Sequence, residues 1–279
     1  MIIDTHTHFY DPTRPQGCPW PGSDNELLYR TVLPHHCNEL AGPEGVTGTV
    51  VVEASAWLDD NQWILDLAAE DPFIVGLVGH IDPNRPEFGA ELARFANHEL
   101  FCGIRCGGSY LDNLEEGSFL ADMKLLADND LELDLIFNYQ QFDGAFKLAE
   151  KIPELRIVIN HIAHVPINGA APDPIWVEQI NKAGQYPQIY MKVSALMEQS
   201  ALQPAPAELD YYRPTLDAMW NAFGEDRLVY GSNWPVSDRS GKYARGINIV
   251  KAYFGEKGEE ATEKYFWKNA KAAYKWVSR

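Results

Sequence analysis

Short β-branched and apolar segments alternate eight times with amphipathic segments along this chain of 279 residues. The apolar segments predict strands, and near-continuous apolar strands are typical of a parallel sheet that is covered on both faces. The eight predicted strands span residues 2–8, 47–54, 73–79, 101–106, 131–137, 156–161, 188–194 and 227–233. Eight strand–helix units in this order favour an α/β fold, a single-domain (β/α)8 (TIM) barrel over residues 1–279.

The segments between the strands have the periodicity of helices. The predicted helices span residues 60–70, 87–98, 114–128, 141–151, 174–184 and 207–223, and two more, 242–254 and 259–277, follow the last strand, so that the barrel carries an extra C-terminal helix. Asp59 and Asp60 are predicted to cap the first of these helices, and Pro72 to end it. The rival fold is an open doubly wound sheet, which places a glycine-rich turn after its first strand. His6-Thr7-His8 occupies that place instead.

The composition excludes several classes of function. The net charge is −17 without a basic cluster, which argues against a nucleic-acid partner or an anionic membrane surface. No apolar run is long enough to span a membrane and no signal peptide is apparent, so a cytoplasmic location is expected. The four cysteines contain no CxxC pair, and reduced thiols are therefore expected. A small-molecule substrate and a homo-oligomer both remain compatible with these features.

Polar side chains stand at the ends of several predicted strands. They are His6 and His8, Glu53, Arg105, His161 and Asn233. In a barrel of this type the active site lies at the carboxyl ends of the strands. Because side chains two residues apart share a strand face, the histidines at positions 6 and 8 are expected to point the same way.

Two imidazoles that converge on one point can coordinate a metal ion, and a carboxylate can complete the coordination shell. His6, His8, Glu53 and His161 are therefore candidate ligands of one divalent metal ion, with zinc as the first choice, although a site without metal stays open. Glu53 has two other interpretations. It is a candidate general base, and it is also a candidate for a purely structural ion pair with Arg105.

The motifs at these strand ends follow one another in a recognisable order. They are Ile3-Asp4-Thr5-His6-Thr7-His8, Phe101-Cys102-Gly103-Ile104-Arg105, Ile159-Asn160-His161, Tyr190-Met191-Lys192-Val193-Ser194 and Arg227-Leu228-Val229-Tyr230-Gly231-Ser232-Asn233-Trp234-Pro235. In these motifs the chain resembles the amidohydrolase superfamily, and within it the amidohydrolase-2 branch with the fuconolactonase-like and rhamnonolactonase-like hydrolases. The resemblance implies a histidine-lined site for a divalent metal and an aspartate after strand eight that activates water. It also implies that members of the lactonase branch, including those acting on pyrone dicarboxylate, can work without a tightly held metal.

The chain departs from the family pattern at one position, because the strand-eight aspartate falls on Asn233. An amide cannot accept a proton as a general base or supply a negative ligand, although it can hold a water molecule or a hydroxyl. The lysine that bridges two metals in the family is not evident either. The asparagine counts against the usual mechanism and against tight binding of two metals, and the missing lysine counts further against two metals.

The predicted reaction is the opening of a sugar-acid lactone by water. Glu53, His161 or a bound metal would activate the water, and Asn233 would position the water or a sugar hydroxyl. Arg105 or the histidine pair would polarise the carbonyl group. A metal-dependent decarboxylase and a non-catalytic sugar-acid binding protein on the same fold are the alternatives.

Substrate contacts are expected from residues near the strand ends. The candidates are Arg105, Trp57, Lys192, His164 and Trp234. The two tryptophans would either stack on a sugar ring or cap the barrel. Lys192 would bind a carboxylate or hydroxyl of the substrate, or else turn toward a neighbouring helix. Trp20, in the proline-rich segment after strand one, is a candidate for part of a lid.

Overall fold

The computed structural model describes residues Met1–Arg279 and contains one sheet of eight parallel strands in the order of the sequence. The strands are β1 Ile3–Thr7, β2 Gly48–Val52, β3 Ile74–Gly79, β4 Phe101–Gly107, β5 Glu132–Ile136, β6 Arg156–Ile159, β7 Ile189–Val193 and β8 Leu228–Tyr230. Each strand pairs in parallel with the next one along the chain. The prediction of a (β/α)8 barrel is confirmed.

The first and last strands close the barrel. The Thr5 hydroxyl donates a hydrogen bond of 2.6 Å to the carbonyl group of Tyr230. Beyond the strands, the backbone N–H of Asn233 donates to the carbonyl of His6, and that of His8 donates to the carbonyl of Trp234, each at 2.9 Å. These bonds bring the residues after β8 beside the end of β1, which places the two predicted parts of the site next to each other.

Helices cover the outside of the barrel. They are α1 Pro34–Ala41, α2 Leu58–Glu70, α3 Phe88–Phe95, α4 Ser109–Asp112, α5 Phe119–Asp128, α6 Phe142–Lys151, α7 Pro174–Ala183, α8 Leu209–Phe223, α9 Tyr243–Gly255, α10 Glu259–Glu263 and α11 Asn269–Tyr274. None of them combines the length and the apolar composition that a membrane span requires.

Several predicted helix boundaries were wrong. The capping position of α2 is Trp57, so Asp59 and Asp60 lie in the first helical turn, where their charges favour the helix dipole. The predicted helix 114–128 begins only at Phe119, after the separate short helix α4. The last helix contains a π-helical turn, Lys264–Lys268, and ends at Tyr274.

The residues around Tyr274 close the amino-terminal end of the barrel. The Tyr274 hydroxyl donates to Oδ1 of Asp134 inside the barrel over 2.9 Å. Trp276 is 3% exposed, and the backbone N–H of Val277 donates to the carbonyl of Val75 near the start of β3. Packing of these residues leaves the opposite end of the barrel as the open one.

Candidate active site

A cleft with a volume of about 500 Å³ opens at the carboxyl ends of the strands. It is lined by His8, Trp20, Glu53, Ala54, Arg105, Ile136, His161, His164, Ala195, Glu198, Gln199, Asn233, Val236, Arg239 and Ser240. Most of the predicted strand-end residues are therefore brought together in one place. Strands β1, β2, β4, β6, β7 and β8, or the loops after them, all contribute.

Three histidines form a cluster at the floor of the cleft. The ring centre of His6 lies 4.9 Å from that of His8 and 4.4 Å from that of His161. His8 and His161 line the cleft, whereas His6 is completely buried beneath them. The predicted convergence of the histidine pair is thus seen in the structure, and His161 joins it from the far side of the barrel.

His161 reaches the cluster through an unusual backbone conformation. Strand β6 ends at Ile159, and His161 has a φ angle of 54°, in the left-handed region. Its Nδ1 lies 2.8 Å from the Ser194 hydroxyl, which also accepts a hydrogen bond from the backbone N–H of His161. Ser194, directly after β7, therefore fixes the orientation of the imidazole ring.

The cluster is held in its neutral form. Burial lowers the pKa of His8 to about 3, and the charge of Arg105 adds to this effect. Burial also places the pKa of His6 and His161 well below the usual range, and the charges of Lys192 and Arg105 lower both further. Nδ1 of His8 must carry its hydrogen, because it donates to the carbonyl group of Val52 over 2.9 Å. Nε2 of His8 consequently has a free lone pair.

Lys192 does not line the cleft, and its Nζ lies over the ring of Tyr274 in α11, 5.1 Å from the ring centre. Its side chain points into the barrel interior, where Nζ lies 2.7 Å from Oδ2 of Asp134, and neither side chain is exposed. Nζ also lies 3.2 Å from Nδ1 of His6. Regular alternation in β7 put Lys192 inside the barrel, and the acidic partner on β5 keeps it there.

Glu53 and Arg105 form an ion pair at the wall of the cleft. Nε of Arg105 donates to Oε1 of Glu53 over 2.8 Å, and a guanidinium Nη donates to the Glu53 backbone carbonyl over 3.0 Å. Both side chains are 16% exposed. The carboxylate is therefore engaged in orienting the guanidinium of Arg105, which lines the cleft.

Asn233 faces a carboxylate that the sequence analysis did not select. Its Nδ2 donates to Oε1 of Glu198 over 2.9 Å. Glu198 lies in the loop after β7, is only partly exposed and lines the cleft. Burial raises the pKa of Glu198 to about 7, while the hydrogen bond from Asn233 lowers it in part. The signal available in the sequence was an acidic residue shortly after strand seven in a chain that lacks the acidic residue after strand eight.

The three tryptophans that the sequence analysis named lie in different surroundings. Trp57 is 38% exposed at the start of α2 and does not line the cleft. Trp234 is buried, and the Arg30 guanidinium lies over its outer face with 5.7 Å to the ring centre. Trp20 does line the cleft, with its ring centre 5.8 Å from that of His8. The segment after β1 thus supplies the aromatic wall instead of Trp57 and Trp234.

His164, a candidate for a substrate contact, lines the cleft, and so do the polar residues Gln199, Arg239 and Ser240, which the sequence analysis did not name. Nε2 of Gln199 donates to Nδ1 of His164 over 3.1 Å. Arg239 forms no salt bridge in the structure and is exposed at the rim, and Ser240 lies beside it. The rim therefore presents a free cation and several hydrogen-bonding groups to a bound molecule.

The residues predicted as metal ligands are a poor fit for a divalent cation. No group of three His, Cys, Asp or Glu side chains is placed to hold a metal ion. Glu53 is paired with Arg105, and the Lys192 ammonium group is directed at Nδ1 of His6. Nε2 of a neutral His6 must then carry hydrogen and cannot ligate. Two fixed positive charges next to three uncharged imidazoles also disfavour a cation electrostatically.

Comparison with known proteins places the chain in a family. The amidohydrolase family model matches residues 3–276, and the protein belongs to the amidohydrolase family. The predicted resemblance is confirmed. The L-fucono-1,5-lactonase of Burkholderia ambifaria is 29% identical over 247 residues, which cover 86% of this chain and 82% of that protein. The L-fucono-1,5-lactonase of Burkholderia multivorans is 23% identical over 279 residues, covering 96% and 93% of the two chains.

Solved structures share the whole fold. An amidohydrolase from Burkholderia multivorans, solved with bound HEPES, has a TM-score of 0.88 at 22% identity, and the match covers 99% of this chain and 100% of that one. A second structure of an amidohydrolase from this organism was solved with bound zinc and has a TM-score of 0.86 at 22% identity, with the same coverage. These likenesses establish the fold along the entire chain.

Proposed function

We propose that this protein is a hydrolase that opens the lactone ring of a sugar acid. The observation that carries the proposal is its similarity, over most of both chains, to two proteins named L-fucono-1,5-lactonase. The cleft supports it, because about 500 Å³ is enough for one sugar ring and the lining is rich in hydrogen-bonding groups. L-Fucono-1,5-lactone is the first substrate to test.

Arg105 is the proposed electrophilic group. Lactone hydrolysis develops negative charge on the carbonyl oxygen when water adds, and a fixed donor at that position stabilises the transition state. The Glu53 carboxylate and backbone carbonyl hold the guanidinium in place, so its orientation is set before the substrate binds. Glu53 is then a positioning residue in this proposal, and the general base and metal ligand, two other interpretations of the sequence, are not assigned to it.

The histidine cluster supports binding of a neutral, hydroxyl-rich ring. The His8 imidazole has a free lone pair on Nε2, because its Nδ1 hydrogen is donated to Val52. Trp20 lies beside this ring and offers an apolar face, on which the C–H groups of a sugar commonly stack. The cluster therefore combines an acceptor for a hydroxyl group with a flat wall for the ring.

We further propose that the reaction proceeds without a bound metal ion. The support is the positive charge of Lys192 and Arg105 around the histidines, together with the hydrogen bond from Lys192 to His6. A resident zinc ion would have to displace that hydrogen bond. The metal content of the purified protein, measured by mass spectrometry, tests this proposal independently of activity.

The activity test is proton release in weak buffer with a pH-sensitive dye, on a panel of sugar-acid lactones. We expect turnover of at least one 1,5-lactone, and we expect it to be unchanged after treatment with a chelator. Loss of turnover with the chelator and its return with zinc would contradict the metal-free proposal alone. Absence of acid release from every lactone, at rates above spontaneous hydrolysis, would contradict the lactonase proposal.

A further inference from the structure

The cleft contains a carboxylate from an unexpected element. Glu198 lies five residues after the end of β7, whereas the family position for the aspartate, after β8, holds Asn233. The amide of Asn233 is directed at Glu198, with 2.9 Å between Nδ2 and Oε1. The two side chains therefore occupy one corner of the cleft, and the carboxylate there comes from the loop after β7.

We propose that Glu198 is the general base that takes the proton from the attacking water, and that Asn233 positions its carboxylate. This inference rests on the proposed function of the cleft as a lactone-hydrolysing site. It assigns to the loop after β7 the task that the family resemblance implies for an aspartate after β8.

The other proton acceptors of the cleft are occupied or too weakly basic. Glu53 and Glu198 are the two carboxylates among the lining residues, and Glu53 is held by Arg105 through a charged hydrogen bond. His8 and His161 are buried neutral imidazoles, whose pKa values are lowered by burial and by the Arg105 charge. Nδ1 of His164 already accepts a hydrogen bond from Gln199, and burial lowers the pKa of this imidazole as well. A weak base cannot hold the proton of water long enough to assist its attack.

Glu198 is suited to this task at neutral pH. Burial raises its pKa to about 7, where a general base combines a useful ionised fraction with a high proton affinity. Three neighbouring side chains also change the pKa of Glu198. Asn233 and the Arg239 guanidinium lower the pKa, and Asp238 on the same turn raises it. Tyr212 of α8 lies nearby, but its own pKa is raised by burial, so it stays neutral.

Hydrolysis of the lactone needs no proton donor or acceptor other than groups of the protein, the substrate and water. The carboxylate of Glu198 removes one proton from water while the water oxygen forms a bond to the lactone carbonyl carbon. The resulting oxyanion faces Arg105. When the intermediate collapses, the bond between that carbon and the ring oxygen breaks, and protonated Glu198 returns its proton to the ring oxygen. The product is a hydroxy acid, which releases one proton to solvent at neutral pH.

The test compares Glu198→Gln with the wild type on the lactone that the wild type opens. The control is Glu208→Gln, which changes an exposed glutamate of the same loop outside the cleft. We expect Glu198→Gln to lower kcat at least 100-fold with KM changed less than threefold, and Glu208→Gln to match the wild type. A Glu198→Gln variant that keeps a third of the wild-type kcat would overturn the proposal. Inactivity of the wild type itself on all lactones would instead overturn the proposed function.

A second measurement does not depend on the folding of the first variant. The wild-type profile of kcat/KM against pH is expected to fall on the acid side with an apparent pKa near 7. In Asn233→Ala the hydrogen bond that stabilises the carboxylate is lost, so this acid limb should move to higher pH. An acid limb at the same pH in both proteins would contradict a positioning role for Asn233, and a wild type without any acid limb between pH 6 and 8 would contradict the role of Glu198.

Discussion

The ammonium group of Lys192 donates hydrogen bonds to Nδ1 of His6 over 3.2 Å and to Oδ2 of Asp134 over 2.7 Å. One buried charge thus connects the floor of the cleft with the interior of the barrel. The connection fixes the tautomer of His6, because Nδ1 accepts and Nε2 must carry the hydrogen. It also imposes a positive potential on a histidine cluster that, from its residue types alone, resembles a metal site.

Breaking the buried ion pair between Lys192 and Asp134 should lower the free energy of unfolding substantially. Replacing Lys192 with Met leaves Asp134 as an unpaired buried carboxylate, which costs about 3–5 kcal/mol of folding free energy. Unfolding in urea at pH 7.5 measures this cost. Lys151→Met is the matched control, since the pair of Lys151 with Glu115 is exposed and such pairs contribute about 0–1 kcal/mol. Equal stabilities of the two variants would contradict the importance of the buried pair.

Arg105 and Glu53 should affect the reaction to different degrees. Arg105→Met removes the proposed electrophile, and we expect kcat to fall by about 10²–10³-fold, as for the loss of an oxyanion donor. Glu53→Gln keeps an acceptor for Nε of Arg105 and should cost less. Neither variant should move the acid limb of the pH profile, which separates both roles from that of a base. Steady-state kinetics from pH 5.5 to 9 measure all of these effects.

Glu198→Gln should stabilise the protein while inactivating it. The pKa of Glu198 is about 7 in the folded state and 4.5 in the reference state, so folding favours the protonated form. The contribution of protonated Glu198 to the folding free energy is fully present below pH 4.5, and it is lost as the pH rises through 7. The variant should therefore gain stability relative to the wild type, on the order of 2–3 kcal/mol between pH 5 and pH 8. Urea unfolding of both proteins at these two pH values measures the gain, and a constant difference would contradict it.

Acid should destabilise the fold through the histidine cluster. Burial lowers the pKa of His8 to about 3. Below pH 6.5 the imidazole of His8 is therefore protonated in the unfolded chain but stays neutral in the folded protein. The contribution of neutral His8 to the folding free energy is therefore fully present above pH 6.5, and it is lost as the pH falls from 6.5 toward 3. Between pH 7.5 and pH 5.5 the wild type should lose about 1.4 kcal/mol more than His8→Asn. An equal loss in the two proteins would show that His8 is protonated in the folded state.

The sequence predicted the frame of the site well. Strand periodicity and the rule that barrel sites lie at strand ends brought His8, Glu53, Arg105 and Asn233 to one cleft. Apolar, parallel strands have a strong and regular pattern, and that pattern fixes which end of each strand carries the polar residues. The helix ends were less accurate, because tertiary packing decides them.

The contacts that depend on loop paths could not be predicted, even where the residues themselves were. Asn233 and His161 reach the cleft from left-handed backbone conformations, with φ angles of 62° and 54°, beyond the ends of their strands. Glu198 enters from a loop whose course has no periodic signature. Lys192 follows the regular alternation of its strand, but only the position of Asp134 across the barrel shows what it contacts.

The closure of the barrel by Tyr274, Trp276 and Val277 also has a consequence for biosynthesis. These residues contact Asp134 and Val75, which belong to strands made much earlier during translation. Until the ribosome has completed the stretch around Tyr274, Asp134 lacks this donor and the apolar side chains at that end of the barrel stay open to water. An unfinished chain should therefore be the form most in need of a chaperone, since exposed strands and apolar surface favour aggregation.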